Sequence, residues 1–158
     1  MSISINREKV KTYVISIIVP LALGAAIGLL TSDTSHYDNL TKPALAPPAI
    51  LFPIAWTILY TLMGISHGIL QWNRLSTPDT QTIYYAQLIV NLLWPILFFL
   101  LEWRLVAFIW IVLLDILVIT MTTMFYRRHK TAGLLQIPYC IWVIFASYLN
   151  LATYLLNR

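Results

Sequence analysis

The sequence predicts an all-α integral membrane protein, a bundle of five transmembrane helices in one domain that covers residues 1–158. The chain is 59% hydrophobic and only 10% charged, whereas roughly 25% of the residues of a soluble domain are charged. Its mean hydropathy of +0.78 is too high for a soluble fold of this size, because a small domain has much surface to cover. These values exclude a soluble globular enzyme, a disordered chain and a disulfide scaffold.

Five apolar stretches reach the roughly 20 residues that a helix needs to cross a bilayer. They cover about residues 12–31, 50–72, 83–101, 105–126 and 132–156. None alternates polar and apolar residues as a membrane-spanning strand does, which favours helices. The first stretch has full span length and no small-x-small site at its end, so no cleavable signal peptide is predicted. Glu102, Trp103 and Arg104 join the third and fourth spans, which predicts a tight antiparallel hairpin.

Basic residues are distributed unevenly over the segments between the spans. Seven lie on one side: Arg7, Lys9, Lys11, Arg74, Arg127, Arg128 and Lys130. Three lie on the other: Lys42, Arg104 and Arg158. Because basic loops tend to stay in the cytoplasm, this bias predicts an N-terminus inside, a C-terminus outside and a location in a bacterial cytoplasmic membrane. It also accounts for the net charge of +4, so no nucleic-acid partner is predicted.

Residues that could hold a metal or react as nucleophiles are few. Cys140 is the single cysteine, so it cannot form an internal disulfide. The three histidines, His36, His67 and His129, have no metal-ligand spacing. No phosphate-binding glycine loop and no nucleophile elbow occurs in the sequence. We therefore expect neither a metal nor a cofactor.

Asp115 is an acidic residue near the middle of the fourth predicted span, in the segment LLDILV. A charge at the centre of a bilayer costs about 2.5–3.5 kcal/mol on insertion scales, so this side chain should face the bundle interior or find a partner. Two interpretations are open. Asp115 either belongs to a ligand site or proton relay, or it makes a structural hydrogen bond between helices.

Polar and aromatic residues share one face of the third predicted helix. Gln87, Asn91, Trp94 and Phe98 are spaced by four, three and four residues, which places them on the same side. Pro95 should bend the helix beside them. The stripe either lines a binding site or, at Gln87 and Asn91, joins helices through buried amide groups.

Two more predicted helices carry a similar stripe, with residues three or four apart. In the fifth span these are Pro138, Trp142, Ala146 and Asn150, and in the second they are Pro53, Trp56, Tyr60 and Gly64. If Trp56, Trp94 and Trp142 converge, they form a pocket for a large flat apolar ligand. The alternative is a core that is simply rich in aromatic residues. The pocket is preferred, because Asp115 and Asn91 also lie at membrane depth.

Two small-residue motifs indicate close helix contacts. They are Gly24-x-x-x-Gly28 in the first span and Gly64-x-x-x-Gly68 in the second. Glycines at this spacing let helix backbones approach closely. The motif of the first span could serve a homodimer or packing within the bundle.

The outer loop and the later spans contain a specific set of motifs. The loop reads Y-x-x-L-x-K-P-x-x-x-P-P from Tyr37 to Pro48, and F-P-I-A-W-T-I-L-Y follows from Phe52 to Tyr60. After them come Gln87-x-x-x-Asn91-x-x-Trp94, Asp115, and P-Y-x-x-W-x-x-F-A-x-x-L-N from Pro138 to Asn150. In this order, and over about residues 12–156, the sequence resembles the TspO/MBR family of tryptophan-rich sensory proteins and mitochondrial translocator proteins.

The resemblance implies a five-helix bundle, usually a homodimer, that binds porphyrins such as protoporphyrin IX and synthetic benzodiazepine-type ligands. The implied ligand site lies under the first loop and includes Tyr37, Pro47, Trp56, Tyr60, Asn91, Trp94, Asp115, Pro138, Trp142, Ala146 and Asn150. Some bacterial relatives are reported to break down protoporphyrin in light, and Trp56 and Trp142 match the positions implicated there. Many relatives carry a tryptophan before the loop tyrosine, where this chain has His36.

Three functions are open on this evidence. The first, which we prefer, is a membrane receptor for porphyrins and other flat apolar ligands, with light-dependent porphyrin degradation as an additional activity. The second is a transporter of porphyrins or amphipathic molecules, with Asp115 as its coupling residue. The third is a membrane protein that works through a partner subunit, in which the tryptophan stripes only pack.

Overall fold

The computed structural model describes residues 2–33, 37 and 39–158, with side chains described from Asn6 onward. Its helices are, in chain order, α1 (Ser2–Leu30), α2 (Leu51–Trp72), α3 (Pro78–Pro95), a π-helical turn (Ile96–Leu100), α4 (Arg104–Arg128), α5 (Lys130–Leu134) and α6 (Ile137–Leu156). Among the described residues, five stretches are long and apolar enough to cross a membrane: Asn6–Leu30, Leu51–Trp72, Pro78–Leu100, Arg104–Arg128 and Lys130–Leu156. The predicted all-α fold with five spans is confirmed.

Two helices begin earlier than the apolar pattern predicts. α1 begins at Ser2 rather than near residue 12, because polar turns continue the helix beyond its apolar part. α3 begins at Pro78 rather than near residue 83. There the Thr77 side chain accepts a hydrogen bond from the backbone of Thr80, and the Thr80 side chain accepts one from the backbone of Thr77. Such a capping box, with proline at the first helical position, favours the start of a helix whether or not the residues that follow are apolar.

The winding of α3 changes directly after Pro95. Ile96–Leu100 form a π-helical turn, and the N–H of Leu101 donates to the carbonyl of Ile96 at 2.9 Å. Proline has no N–H and its ring crowds the preceding turn, so it interrupts the α-helical ladder. The distortion predicted at Pro95 therefore takes the form of a local change of helix type.

A tight hairpin connects the π-helical turn to α4. The N–H of Trp103 donates to the carbonyl of Leu97 at 3.0 Å, which closes the connection. Glu102 sits at its corner with φ of 55°, in the left-handed region that residues other than glycine seldom adopt. The hairpin thereby brings Arg104, the first residue of α4, beside the end of α3.

The bundle is organised around α4, which packs against both α3 and α6. Side chains from α2, α4 and α6 meet in its centre, where Met63, Val118 and Val143 are fully buried. α1 is peripheral and packs chiefly on α2. It exposes large apolar side chains such as Ile15 and Ile18, as a lipid-facing helix does.

The glycines of α1 and α2 mark where the two helices touch. A Cβ at Gly64 would overlap the α1 backbone at Ser16 and Ile17, and a Cβ at Gly24 would overlap the Tyr60 ring. Gly28, in contrast, would meet nothing within 4 Å among the described residues. Gly24 and Gly64 therefore serve packing within the bundle, and the homodimer stays a prediction.

Candidate ligand-binding site

A cleft opens between α2, α3 and α6, beside Tyr37 of the first loop. Its cavity volume is about 20 Å³, far below the roughly 300–1,000 Å³ of small-molecule sites, so the cleft is nearly closed in this conformation. Its walls are mainly aromatic and apolar: Tyr37, Phe52, Trp94, Phe98, Phe99, Ala146, Leu149, Asn150 and Thr153. Four of the residues that the sequence proposed for a ligand site, Tyr37, Trp94, Ala146 and Asn150, thus line one cleft.

Trp94 is fixed in the wall of this cleft by a chain of hydrogen bonds. Its indole Nε1–H donates to Oδ1 of Asn150 at 2.9 Å. The Nδ2 group of Asn150 in turn donates to the backbone carbonyl of Arg104 at 2.9 Å. Both side chains are almost completely buried. Because their polar atoms bind one another, Trp94 offers the cleft an apolar ring in a fixed orientation.

Aromatic rings continue this wall towards the loop. The Trp94 ring stacks on Phe98 with centroids 5.2 Å apart. Tyr37 packs on Phe98 and Phe99 at centroid distances of 5.9 and 5.5 Å, and Lys42 Nζ lies 5.4 Å from the Tyr37 ring centroid. His36, the departure from the family pattern, lies outside the described residues.

The first loop is tied to α6 at two points. The N–H of Thr41 donates to Oδ1 of Asn157 at 2.9 Å, and Nδ2 of Asn157 donates to the Thr41 carbonyl at 3.0 Å. The hydroxyl of Tyr148 donates to the carbonyl of Ala44 at 2.9 Å. Between these ties and α2, Pro47 is half-buried in the proline segment of the loop. The loop is therefore held over the end of the bundle that contains the cleft.

A buried hydrogen-bond network joins α2, α3 and α6 deeper in the bundle. The Tyr60 hydroxyl donates to Oδ1 of Asn91 at 2.7 Å, and Nδ2 of Asn91 donates to the Tyr139 hydroxyl. The Tyr139 hydroxyl donates to Oε1 of Gln87 at 2.8 Å. All four side chains are buried, and both polar atoms of Asn91 are occupied. Tyr60 and Asn91 thus hold helices together, and do not line the cleft.

Trp56 and Trp142 lie beside the cleft, and neither lines it. Trp56 stacks on Tyr60 with centroids 5.3 Å apart and meets the edge of Tyr139 at 6.2 Å. Trp142 contacts Phe52, a cleft residue, edge to face at 6.0 Å. The three tryptophans of the predicted stripes therefore do not meet, and aromatic neighbours separate them.

Asp115 pairs with Ser147 where α4 contacts α6. The Ser147 hydroxyl donates to Oδ2 of Asp115 at 2.7 Å, and Oδ1 is buried without a hydrogen-bond partner among the described residues. This arrangement matches the interhelical alternative, and Asp115 does not line the cleft. Pro138 is exposed in the first turn of α6, about 18 Å from Asn150 at the helical rise of 1.5 Å per residue.

Several cleft residues were missed by the sequence analysis. Thr153 lies three positions after Asn150 on α6, so extending the predicted stripe by one turn would have found it. Leu149 lies three positions after Ala146 and would have been found by including the three-residue spacing. Phe52 lies one turn before Trp56 on α2. Phe99 could not be found by helical periodicity, because the π-helical turn places it in the cleft next to Phe98.

A smaller recess adjoins the cleft on the loop side, and we call it the mouth. Its cavity volume is about 10 Å³, and it is lined by Asp33, Tyr37, Leu40, Phe98, Phe99, Glu102 and Arg104. Tyr37, Phe98 and Phe99 belong to both spaces. A charged mouth therefore leads along one aromatic wall into an apolar cleft.

The fold and this site define the class: a helical integral membrane protein of five spans with an aromatic cleft near one end. The model of the TspO/MBR family matches residues 16–155, which is most of the chain. The chain belongs to the TspO/MBR family, so the resemblance seen in its motifs is confirmed.

Relatives from distant organisms support this membership. The chain is 41% identical over 148 residues to the tryptophan-rich protein TspO of Archaeoglobus fulgidus, covering 91% of this chain and 95% of that protein. It is 36% identical over 143 residues to protein CrtK of Rhodobacter capsulatus, covering 88% and 89%. It is 30% identical over 122 residues to the human translocator protein, covering 72% and 70%.

Proposed function

We propose that this protein is a membrane receptor for porphyrins of the protoporphyrin IX type and for other flat apolar ligands. The observation that carries the proposal is the cleft, where Trp94 is held by Asn150 and the rings of Phe98, Phe99 and Tyr37 continue the wall. Fixed aromatic faces with few polar groups suit a flat apolar macrocycle. Membership of the TspO/MBR family supports the same ligand class.

The size of the cleft sets a condition on binding. A tetrapyrrole with its side groups needs far more room than the about 20 Å³ of the cleft. Binding therefore requires the loop and the rings of Tyr37 and Phe99 to move outward. The ties of the loop to Asn157 and Tyr148 are hydrogen bonds of exposed groups, and such bonds open at small cost because water replaces them.

Protoporphyrin IX titration in the dark tests the proposal. We expect saturable quenching of tryptophan fluorescence in the detergent-purified protein at micromolar porphyrin. Ala146→Leu, which adds a branched side chain to the cleft wall, should weaken binding at least tenfold. Ala26→Leu on the exposed face of α1 is the matched control and should leave it unchanged. Unsaturable quenching, or equal effects of both variants, would refute a site in this cleft.

Light-dependent degradation is a separate, additional activity of the proposed receptor. Trp142 contacts Phe52, which lines the cleft. Trp56 stacks on Tyr60 of the buried network. The expected result is a protein-dependent change of porphyrin absorbance under light in the presence of oxygen. It should be lost in Trp56→Phe/Trp142→Phe while dark binding, followed by porphyrin absorbance, persists. Equal rates in the double variant and the wild type would exclude these tryptophans.

Transport with Asp115 as coupling residue is the alternative function. Its carboxylate bonds Ser147 between α4 and α6, outside the cleft lining, which favours the receptor. Proton-driven porphyrin uptake into vesicles, abolished by Asp115→Asn, would favour the transporter. For the receptor we propose in addition an N-terminus inside a bacterial cytoplasmic membrane, supported by the bias of the basic loops. We also propose a homodimer, which the family resemblance implies.

A further inference from the structure

Arg104 places a guanidinium group in the mouth, next to the cleft. Its backbone is fixed to the cleft wall, because its carbonyl accepts the hydrogen bond from Asn150, which also holds Trp94. Its side chain is 20% exposed and lines the mouth together with the rings of Phe98 and Phe99. A cation therefore stands at the loop-side edge of an apolar aromatic chamber.

One donor of this guanidinium is unused. Nη2 lies 3.2 Å from Oε2 of Glu102, but Nε is buried and has no hydrogen-bond acceptor among the described residues. A buried donor without an acceptor destabilises a structure, and the penalty is larger for a charged group. The guanidinium that lines the mouth thus carries an N–H that no acceptor among the described residues satisfies.

The geometry of arginine indicates what that acceptor is. Its nitrogens form a planar fork that binds both oxygens of one carboxylate by parallel hydrogen bonds. Glu102 contacts Nη2 of Arg104, and its side chain in the hairpin is 40% exposed. Water can therefore solvate the Glu102 carboxylate when a carboxylate of the ligand replaces it at Nη2. Asp33 also lines the mouth. Its negative charge, like that of Glu102, repels an anionic ligand, so Arg104 has to provide the attraction.

We propose that Arg104 is the residue that binds a carboxylate of the ligand, and that it thereby determines the preference for tetrapyrroles with free acid side chains over their neutral esters. This inference rests on the proposed receptor function. A protoporphyrin ring is apolar over most of its area and carries its two propionates on one edge. The cleft takes the apolar part, the guanidinium takes a propionate, and Glu102 is displaced.

Protoporphyrin IX and its dimethyl ester form a matched pair of ligands for the test. They share the macrocycle and differ in the free carboxylates. By tryptophan quenching in the dark, we expect the wild type to bind the free acid about tenfold more tightly than the ester. Arg104→Gln should remove this difference by weakening the free acid alone, and Arg104→Lys should restore part of it. Glu102→Gln should tighten binding of the free acid.

Two comparisons make the test decisive. Arg127→Gln, an exposed substitution at the other end of α4, changes the net charge equally and should keep the full preference. Unchanged ester binding by Arg104→Gln shows that this variant is folded. Equal wild-type affinities for acid and ester, or equal weakening of both by Arg104→Gln, would overturn the carboxylate site. If neither ligand binds the wild type, the receptor function itself fails.

Discussion

Asn157 and Thr41 bind each other through two hydrogen bonds across 116 positions of sequence. The asparagine amide pairs with the N–H and the C=O of one peptide residue, as a neighbouring strand would. This pair fixes the first loop to the residue that follows α6, beside the cleft. The loop is therefore held by the C-terminal end of the chain as well as by its own prolines.

Breaking this pair should open access to the cleft. In Asn157→Ala, both bonds to Thr41 are lost, together with the bond from Nδ2 to the Thr153 carbonyl, and each is worth about 0.5–1.5 kcal/mol. We expect association and dissociation of protoporphyrin IX to accelerate together by about fivefold, as measured by stopped-flow quenching. Asn73→Ala is the control, because Asn73 makes a similar exposed side-chain bond to Ile69 away from the loop. Rates equal to those of the wild type would mean that the loop does not limit entry.

Tyr139 is expected to be the most sensitive member of the buried network. Tyr139→Phe removes one hydroxyl and leaves Asn91 Nδ2 and Gln87 Oε1 without partners. Each unsatisfied buried group costs about 1–3 kcal/mol, so the thermal midpoint in detergent should fall by several degrees. Tyr126→Phe removes a hydroxyl from a side chain that is 45% exposed, and it should leave the midpoint unchanged. Equal midpoints for the two variants would contradict a stabilising role of the network.

Gly64 and Gly28 should respond in opposite ways to the same added methyl group. Gly64→Ala forces a Cβ into the backbone of α1 at Ser16 and Ile17, and such overpacking costs about 1–3 kcal/mol. Gly28→Ala meets open space and gains up to about 1 kcal/mol of helix propensity. Thermal unfolding in detergent measures both. A destabilised Gly28→Ala dimer would instead indicate that a second copy covers this glycine.

Asp115 and Ser147 should be energetically coupled. Double-mutant cycles of membrane-protein hydrogen bonds average about 0.6 kcal/mol and reach about 1.7 kcal/mol. We expect a value in this range from Asp115→Ala, Ser147→Ala and the double variant in unfolding experiments, because Asp115→Ala removes the acceptor. Porphyrin affinity should stay within twofold of the wild type in all three. Coupling near zero would contradict a stabilising bond between Asp115 and Ser147, and it would favour a role of Asp115 in ligand binding or transport.

The sequence predicted the helices better than the site, and the reason is physical. Hydropathy identifies each span independently, because every spanning helix must itself be long and apolar enough to cross the bilayer and must form its own backbone hydrogen bonds. Whether a polar residue faces a ligand or another helix depends on its neighbour across the interface. Asn91 and Trp94 share one predicted stripe, yet Asn91 is enclosed by Tyr60 and Tyr139 while Trp94 reaches the cleft.

Charged residues near helix ends were the hardest to interpret. Arg104 counted only as one of three basic residues outside the predicted cytoplasmic side. Its position in the mouth depends on the hairpin at Glu102 and on the bond from Asn150 to its carbonyl. Neither contact leaves a periodic signal in the sequence, since both depend on how separate helices meet.

The π-helical turn of Ile96–Leu100 determines where two aromatic rings of the cleft wall lie. In an α-helix, consecutive residues point about 100° apart, because 3.6 residues complete a turn. The wider turn lets Phe98 and Phe99 both line the cleft and the mouth. Rewinding this one turn to α-helix would swing one ring away while the rest of α3, anchored by Trp94, stays in place. The placement of both rings at the entrance thus depends on the winding of five residues.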